Sequence, residues 1–262
     1  MMNAKTPHLS RYVVLAFVFC AGININIFAA ETPTGPNEET IARDIVKKAD
    51  LVRFPPDGFQ VDVVITTTHH GDTPDARKYR VLSKGNENAI VMITEPAADR
   101  GQIMLMKERD LWMFLPDVSQ PVRLALSQRL TGQVANGDLA RANFSGDYVP
   151  MLLRTETIDG EIYQVLALTA VDRGVTYQKV VYWVKQSNAW PYKAEFYSLS
   201  NRLLKTCKYQ NFESMGGKVR PTRLVMEDAL RHGEQSVLDY QKMKLRDLPD
   251  KIFTKDYLKK LE

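Results

Sequence analysis

Residues 111–130 read LWMFLPDVSQPVRLALSQRL. Five large apolar side chains stand in a row, a proline stops them, and Arg123 and Arg129 are spaced through a second apolar stretch. A half-buried strand alternates apolar with polar residues, because successive side chains point to opposite faces. Here Leu111, Met113 and Leu115 fall on one face and Trp112 and Phe114 on the other, so both faces are apolar. The preceding QIMLMK repeats the pattern, with Ile103 and Leu105 alternating with Met104 and Met106. Doubly apolar strands belong in parallel sheets covered by helices on both sides, so the helix content of the rest of the chain decides the fold.

That content is small. NEETIARDIVKKADLVRF (37–54) predicts one amphipathic helix, capped by Asn37, with Glu38 and Glu39 at its positive end and Ile41, Ile45, Ala49 and Val52 along one stripe. PPDG ends it. From Phe59 onward the period is two: FQVDVVITTTHH, ARKYRVLSKG, NAIVMITEP, GQIMLMKERD, LWMFLPD, YQVLALTAVD, YQKVVYWVK, YKAEFYSLS, RLLKTCKYQNF, KVRPTRLVMED and EQSVLDYQKMKLRD are separated by turn-like residues. About eleven or twelve strands at short spacing predict an antiparallel meander rather than parallel crossovers. Gln128 to Asp147 breaks the rhythm; GQVANGDLARANFSGD predicts an inserted loop with a short helix from near Asp138. FTKDYLKK predicts a terminal helix capped by Thr254.

The fold class that follows is α+β, an incomplete antiparallel β-barrel of about 11 strands with helices as plug or lid. A curved sheet has an inside, and its outside can be covered by a helix or by a neighbouring part of the chain. The inside is either filled with side chains or hollow. A hollow one suits a small apolar ligand, and methionines on its wall adapt to a flexible acyl chain.

The chain has 262 residues, 44% of them apolar, which is enough for a real core. The formal charge is +4 and the basic residues are scattered, with no basic stripe interleaved with aromatics, so nucleic acid is not an expected partner. Residues 1–30 predict a cleavable Sec-type signal peptide: Lys5 and Arg11, a short apolar run from Tyr12 to Gly22, and small residues in IFAAE near Ala29 and Ala30. The run is about half of the ~20 residues a spanning helix needs; an uncleaved anchor is the alternative. Cys20 follows Phe17, Val18 and Phe19, not the small residue a lipid-modification site wants. Residues 31–262 then form a single periplasmic domain with 33 basic against 31 acidic residues. Cys207 is alone in that domain, so no intrachain disulfide forms, and it reads as a small core residue.

Catalytic patterns are missing from the sequence. His69 and His70 are adjacent at a strand end and point to opposite faces, which is poor geometry for one metal ion. There is no HExxH, paired CxxC, GxSxG or phosphate-cradling glycine loop. Glu95, Asp110, Asp117, Asp147, Asp172 and Asp228 sit mainly in turns or at strand ends, where acids serve structure. No metal, cofactor or enzymatic activity is expected, and a lipid hydrolase ranks last among the readings.

Four stretches in order carry a resemblance: LWMFLP followed by a basic strand, QRLTGQVANGDLARANFSGDY, YWVKQSNAWPYKAEFYSLSNRLLKTCKYQNF, and GGKVRPTRLVMED leading to PDKIFTKDYLKKL. Over nearly all of residues 31–262 the chain resembles the LolA-like family of exported proteins, described as outer-membrane lipoprotein-sorting proteins. The resemblance implies an incomplete barrel around a hydrophobic cavity and, as partners, the acyl chains of a lipoprotein or lipid. It also implies transfer towards an outer-membrane acceptor and service to an inner-membrane exporter of the resistance-nodulation-division (RND) class. A sensor or adaptor that recognises lipid or protein and regulates a membrane partner is the second reading. Met104, Met106, Trp112 and Phe114 are the expected cavity wall, with ordinary core as the alternative. NGDLARANF, with Leu139 and Phe144, is the expected lid. Arg123, Arg129 and Arg141 either anchor an anionic head group, hold the lid through carbonyl bonds, or lie solvated on the surface.

Overall fold

Period-two alternation carries the chain through fifteen strands in the computed structural model, which describes residues 36–258 apart from positions 86, 117 and 142. The expected signal peptide, Cys20 and Asp117 lie outside those residues. After helix α1 (Pro36–Arg53) come β1 (Phe59–Thr68), β2 (Asp75–Lys84), β3 (Asn88–Glu95), β4 (Ile103–Lys107), β5 (Asp110–Phe114) and β6 (Val122–Leu124). A hairpin of β7 (Arg129–Thr131) and β8 (Val134–Ala135) leads into α2 (Asn136–Ala140) and α3 (Phe144–Asp147). The second run holds β9 (Tyr148–Ile158), β10 (Glu161–Ala170), β11 (Lys179–Lys185), β12 (Pro191–Tyr197), β13 (Leu203–Met215), β14 (Lys218–Asp228) and β15 (Gln235–Leu245), then α4 (Lys255–Leu258).

Thirteen strands make one antiparallel sheet in the order β6-β5-β4-β3-β2-β1-β15-β14-β13-β12-β11-β10-β9. The chain therefore runs outward from β1 to one edge, crosses to the opposite edge, and returns until β15 pairs with β1. The edges β6 and β9 remain unpaired with each other, so the barrel is incomplete. Residues 125–147 are the connection that spans from edge to edge, and they include the insertion expected over Gln128 to Asp147.

Eleven strands follow the alternating segments and β6 lies in the basic stretch. The strands not anticipated are the short β7 and β8, inside the stretch expected to be a loop, and β9, where Pro150 and a partly exposed second half blur the alternation. Proline is tolerated there because β9 is an edge with one partner.

Helix α1 lies on the concave side and buries Ala42, Ile45, Val46 and Ala49. Two expectations for it shift. It begins at Pro36, where proline suits a first helical position, so Asn37 is inside the helix rather than capping it. The buried stripe is also rotated: Ile41 is 46% exposed, because the two alanines are the residues small enough to let the helix approach the sheet. At the other end of the helix Arg220, 2% exposed, donates from Nη1 to the carbonyls of Leu51 (2.8 Å) and Val52 (3.0 Å) and from Nε to Met215 O (3.0 Å). A cation thus satisfies carbonyls that every helix end leaves unpaired.

The second apolar face of β4 and β5 is covered by the C-terminal segment. Ile90, Ile103, Leu105 and Phe114 pack against Leu248, Ile252, Phe253 and Leu258, with Trp112 and Tyr257 at the margin. Thr254 starts α4 as expected, its Oγ1 accepting from Tyr257 N at 3.3 Å, and Lys255 Nζ sits 4.1 Å above the Trp112 ring. The doubly apolar strands are explained by a barrel interior on one side and the chain's own tail on the other.

Candidate functional site: the plugged interior

Register divides the four expected wall residues. Met104 pairs with Met113 and Met106 with Leu111, and all four sides of these pairs belong to the interior core. Ile103 pairs with Phe114 and Leu105 with Trp112, which places Phe114 and Trp112 on the outer face under the C-terminal segment. Cross-strand partners share a face, and the tight hairpin pairs each even-numbered residue of β4 with an odd-numbered one of β5, so two methionines and two aromatics separated by even steps fall on opposite sides. The interior therefore has Met104 and Met106 on its wall without Trp112 and Phe114.

The expected lid residues do converge on the interior. Leu139, Ala140 and Phe144 are buried in the main core, with the Phe144 ring edge-on to Tyr148 (5.4 Å) and Tyr182 (5.3 Å). The α2–α3 segment fits closely: a Cβ at Gly137 would stand 1.9 Å from Thr176 Oγ1, so only glycine lets α2 dock there. Asp138 closes the start of α2 by accepting from Ala135 N (2.8 Å) and from Tyr177 Oη (2.6 Å), and burial raises its carboxyl above the usual range.

Arg141 acts inside this segment. It is buried and forks onto Asp147, Nε to Oδ2 at 2.6 Å and Nη2 to Oδ1 at 2.8 Å, while Nη1 donates to Glu108 O at 2.6 Å. Arg109 adds Nε to Asp147 Oδ1 at 3.0 Å and Nη2 to Gly146 O at 3.1 Å. The β4–β5 hairpin is in this way clipped to the end of α3. Arg123 and Arg129 lie elsewhere, exposed on β6 and β7, with Arg123 pairing with Asp110.

Sequence reading missed the charged end of α1. Asp50 and Arg53 are both buried. Asp50 Oδ2 accepts from Ser145 N of α3 at 2.7 Å, and burial pushes its carboxyl up to about 6 against the pull of Arg53. The Arg53 guanidinium stacks 4.4 Å from the Phe144 ring centre and 5.8 Å from that of Tyr209. The signal available in the sequence was the three-residue spacing of Asp50 and Arg53, which puts both on the face of Val46 and Ala49. Cys207 is free and fully buried, its thiol pushed up to about 12 by desolvation.

Around these groups the interior is almost full. One void of about 20 Å³ is lined by Arg53, Asp138, Arg141, Phe144, Tyr148 and Tyr177 among others. A second, of about 10 Å³, lies between Phe54, Phe59, Val81, Leu139, Ala140 and Tyr240. A larger groove of about 680 Å³ lies open on the outer side of β1–β4, with four cations on its lining, of which Arg80 and Lys78 are paired with Asp62 and Glu95 and Arg100 donates to Thr94 O. Among the described residues no group of three or more acidic, histidine or cysteine side chains is placed to hold a metal ion, and no helix is long and apolar enough to cross a membrane.

A family model described as "Uncharacterized protein" matches residues 85–260. No curated protein matches the chain. Among solved structures, a domain named for outer-membrane lipoprotein sorting from Vibrio parahaemolyticus is 19% identical (TM-score 0.73, 84% of this chain and 99% of that one). A DUF1329 family protein from Desulfovibrio piger is 20% identical (TM-score 0.71, 84% and 99%). These two share the fold. A LolA superfamily protein from Nitrosomonas europaea is 68% identical, with a TM-score of 0.79 over 82% of this chain and 98% of that one. At that identity and coverage, the chain belongs to the LolA superfamily.

Proposed function

We propose that this protein is a periplasmic carrier that takes the acyl chain of a lipoprotein or lipid into the barrel interior and passes it on towards the outer membrane. The observation that carries the reading is the edge-to-edge segment 125–147. It fills an apolar interior with Leu139, Ala140 and Phe144, yet it is held by polar clips at Asp147 and Ser145 rather than by a continuous sheet. A plug of this construction leaves as a unit, and a hydrocarbon chain replaces its side chains at ~0.8 kcal/mol per buried methylene. Filled and open states then differ by little, which release requires. Superfamily membership supports the same reading, and the resemblance extends it to an accessory of an RND-class exporter. Export by the N-terminal signal completes it.

Native mass spectrometry of the protein purified from the periplasm, followed by extraction and identification of the bound material, tests this. A bound acyl species is expected. A protein that carries none and takes up none added back overturns the carrier reading and leaves the sensor or adaptor in its place.

A further inference from the structure

Arg53 is 6% exposed. Among the described residues the one hydrogen-bond acceptor of its guanidinium is an Asp50 oxygen at the long distance of 3.5 Å, and its Nε has no hydrogen-bond partner, although the Tyr182, Tyr209 and Tyr240 side chains lie near enough to act on its charge. A guanidinium offers five N–H donors in a fixed fork, and native interiors rarely leave such donors idle, because an unpaired buried polar group is costly and points to an absent water, ion or ligand. Asp50 does not complete the fork, since its other oxygen is taken by Ser145 N. Arg53 lines the 20 Å³ void together with Tyr148, whose hydroxyl is also without a partner among the described residues.

The two interior voids share one removable wall. Gly137, Asp138, Arg141 and Phe144 bound the first, and Leu139 and Ala140 bound the second. Withdrawal of α2 and α3 would therefore join a cationic end at Arg53 to an apolar run along Phe54, Phe59 and Tyr240. That withdrawal also removes Phe144 from the guanidinium face and Ser145 from Asp50.

We infer that the interior receives acyl ligands ending in a carboxylate, head first, with Arg53 binding the carboxylate and the space of Leu139, Ala140 and Phe144 holding the chain. Two carboxylate oxygens match the guanidinium fork, and Tyr148 adds a donor. The inference rests on the carrier reading and narrows it to free acyl acids, because the acyl chains of a lipoprotein are ester- or amide-linked and carry no anion.

Isothermal titration of delipidated protein with palmitate and with hexadecanol, each below its micellar concentration, separates the possibilities. Palmitate should bind at least tenfold more tightly than hexadecanol. Arg53→Gln should bring the two affinities together while leaving hexadecanol binding in place, and Arg53→Lys should restore part of the difference. Equal affinities in the unmodified protein overturn the head-group site and leave the carrier reading standing. Failure of both ligands to bind overturns both. If Arg53→Gln does not fold, the ratio in the unmodified protein decides by itself.

Discussion

Asp50 and Arg220 show how single side chains set the terms of this interior. The Asp50 carboxyl titrates at about 6 when folded and at 3.8 as an unperturbed group, because burial disfavours its charge. Between those values the folded state holds more protons than the unfolded one, so stability falls as pH rises from about 4 to about 6. Asp50→Asn should flatten that part of the profile, an effect on the order of a few kcal/mol, in guanidinium unfolding measured at half-unit pH steps. Arg220 works in the opposite sense, as a cation that has no carboxylate partner among the described residues and satisfies three carbonyls. Arg220→Met should cost about 2–5 kcal/mol in urea unfolding, since the helix end keeps its position but loses its donors.

At the scale of elements, the connection between the two sheet edges is held by side-chain clips rather than by the sheet. The Arg141–Asp147 fork and the Arg109 bond hold α3 to the β4–β5 hairpin. Asp147→Asn leaves a buried guanidinium poorly paired, a loss of about 3–5 kcal/mol for such pairs. The expected result is faster amide hydrogen exchange confined to residues 136–147, with β10–β15 unchanged; exchange that accelerates uniformly would mean the clip supports the whole barrel. Gly137→Ala should have a related effect, because its methyl would meet Thr176 Oγ1 and lift α2 from its seat.

At the scale of the whole molecule, β4 and β5 separate two apolar layers, the barrel interior and the outer layer under the C-terminal segment, while a third apolar cluster lies apart on β10–β12 at Val165, Val181 and Trp183. The C-terminal segment shields Ile103, Leu105 and Phe114 from water, with Phe253 only 2% exposed. Phe253→Asp should therefore destabilise by about 3–5 kcal/mol and raise binding of a hydrophobic dye at the outer face. Acyl uptake by the interior should persist in that variant if the two layers are independent. Loss of uptake would show that the tail also sets the shape of the barrel.

What the sequence determined by itself is local and periodic. Alternation in segments such as FQVDVVITTTHH and EQSVLDYQKMKLRD marks β1 and β15, each with two partners and a pattern that its burial follows. The break at Gln128 marks the one connection that leaves the sheet. The doubly apolar faces of β4 and β5 were equally legible, as was the need for cover on both. Tertiary structure alone decided which cover each face received, because alternation fixes that Met104 and Trp112 differ from their neighbours but not which side is concave. It also decided the edges: β9, with one partner and a partly exposed second half, has little pattern to read. The Asp50–Arg53 end of α1 owes its character to burial beneath α3, a contact between residues about ninety positions apart that no local spacing encodes.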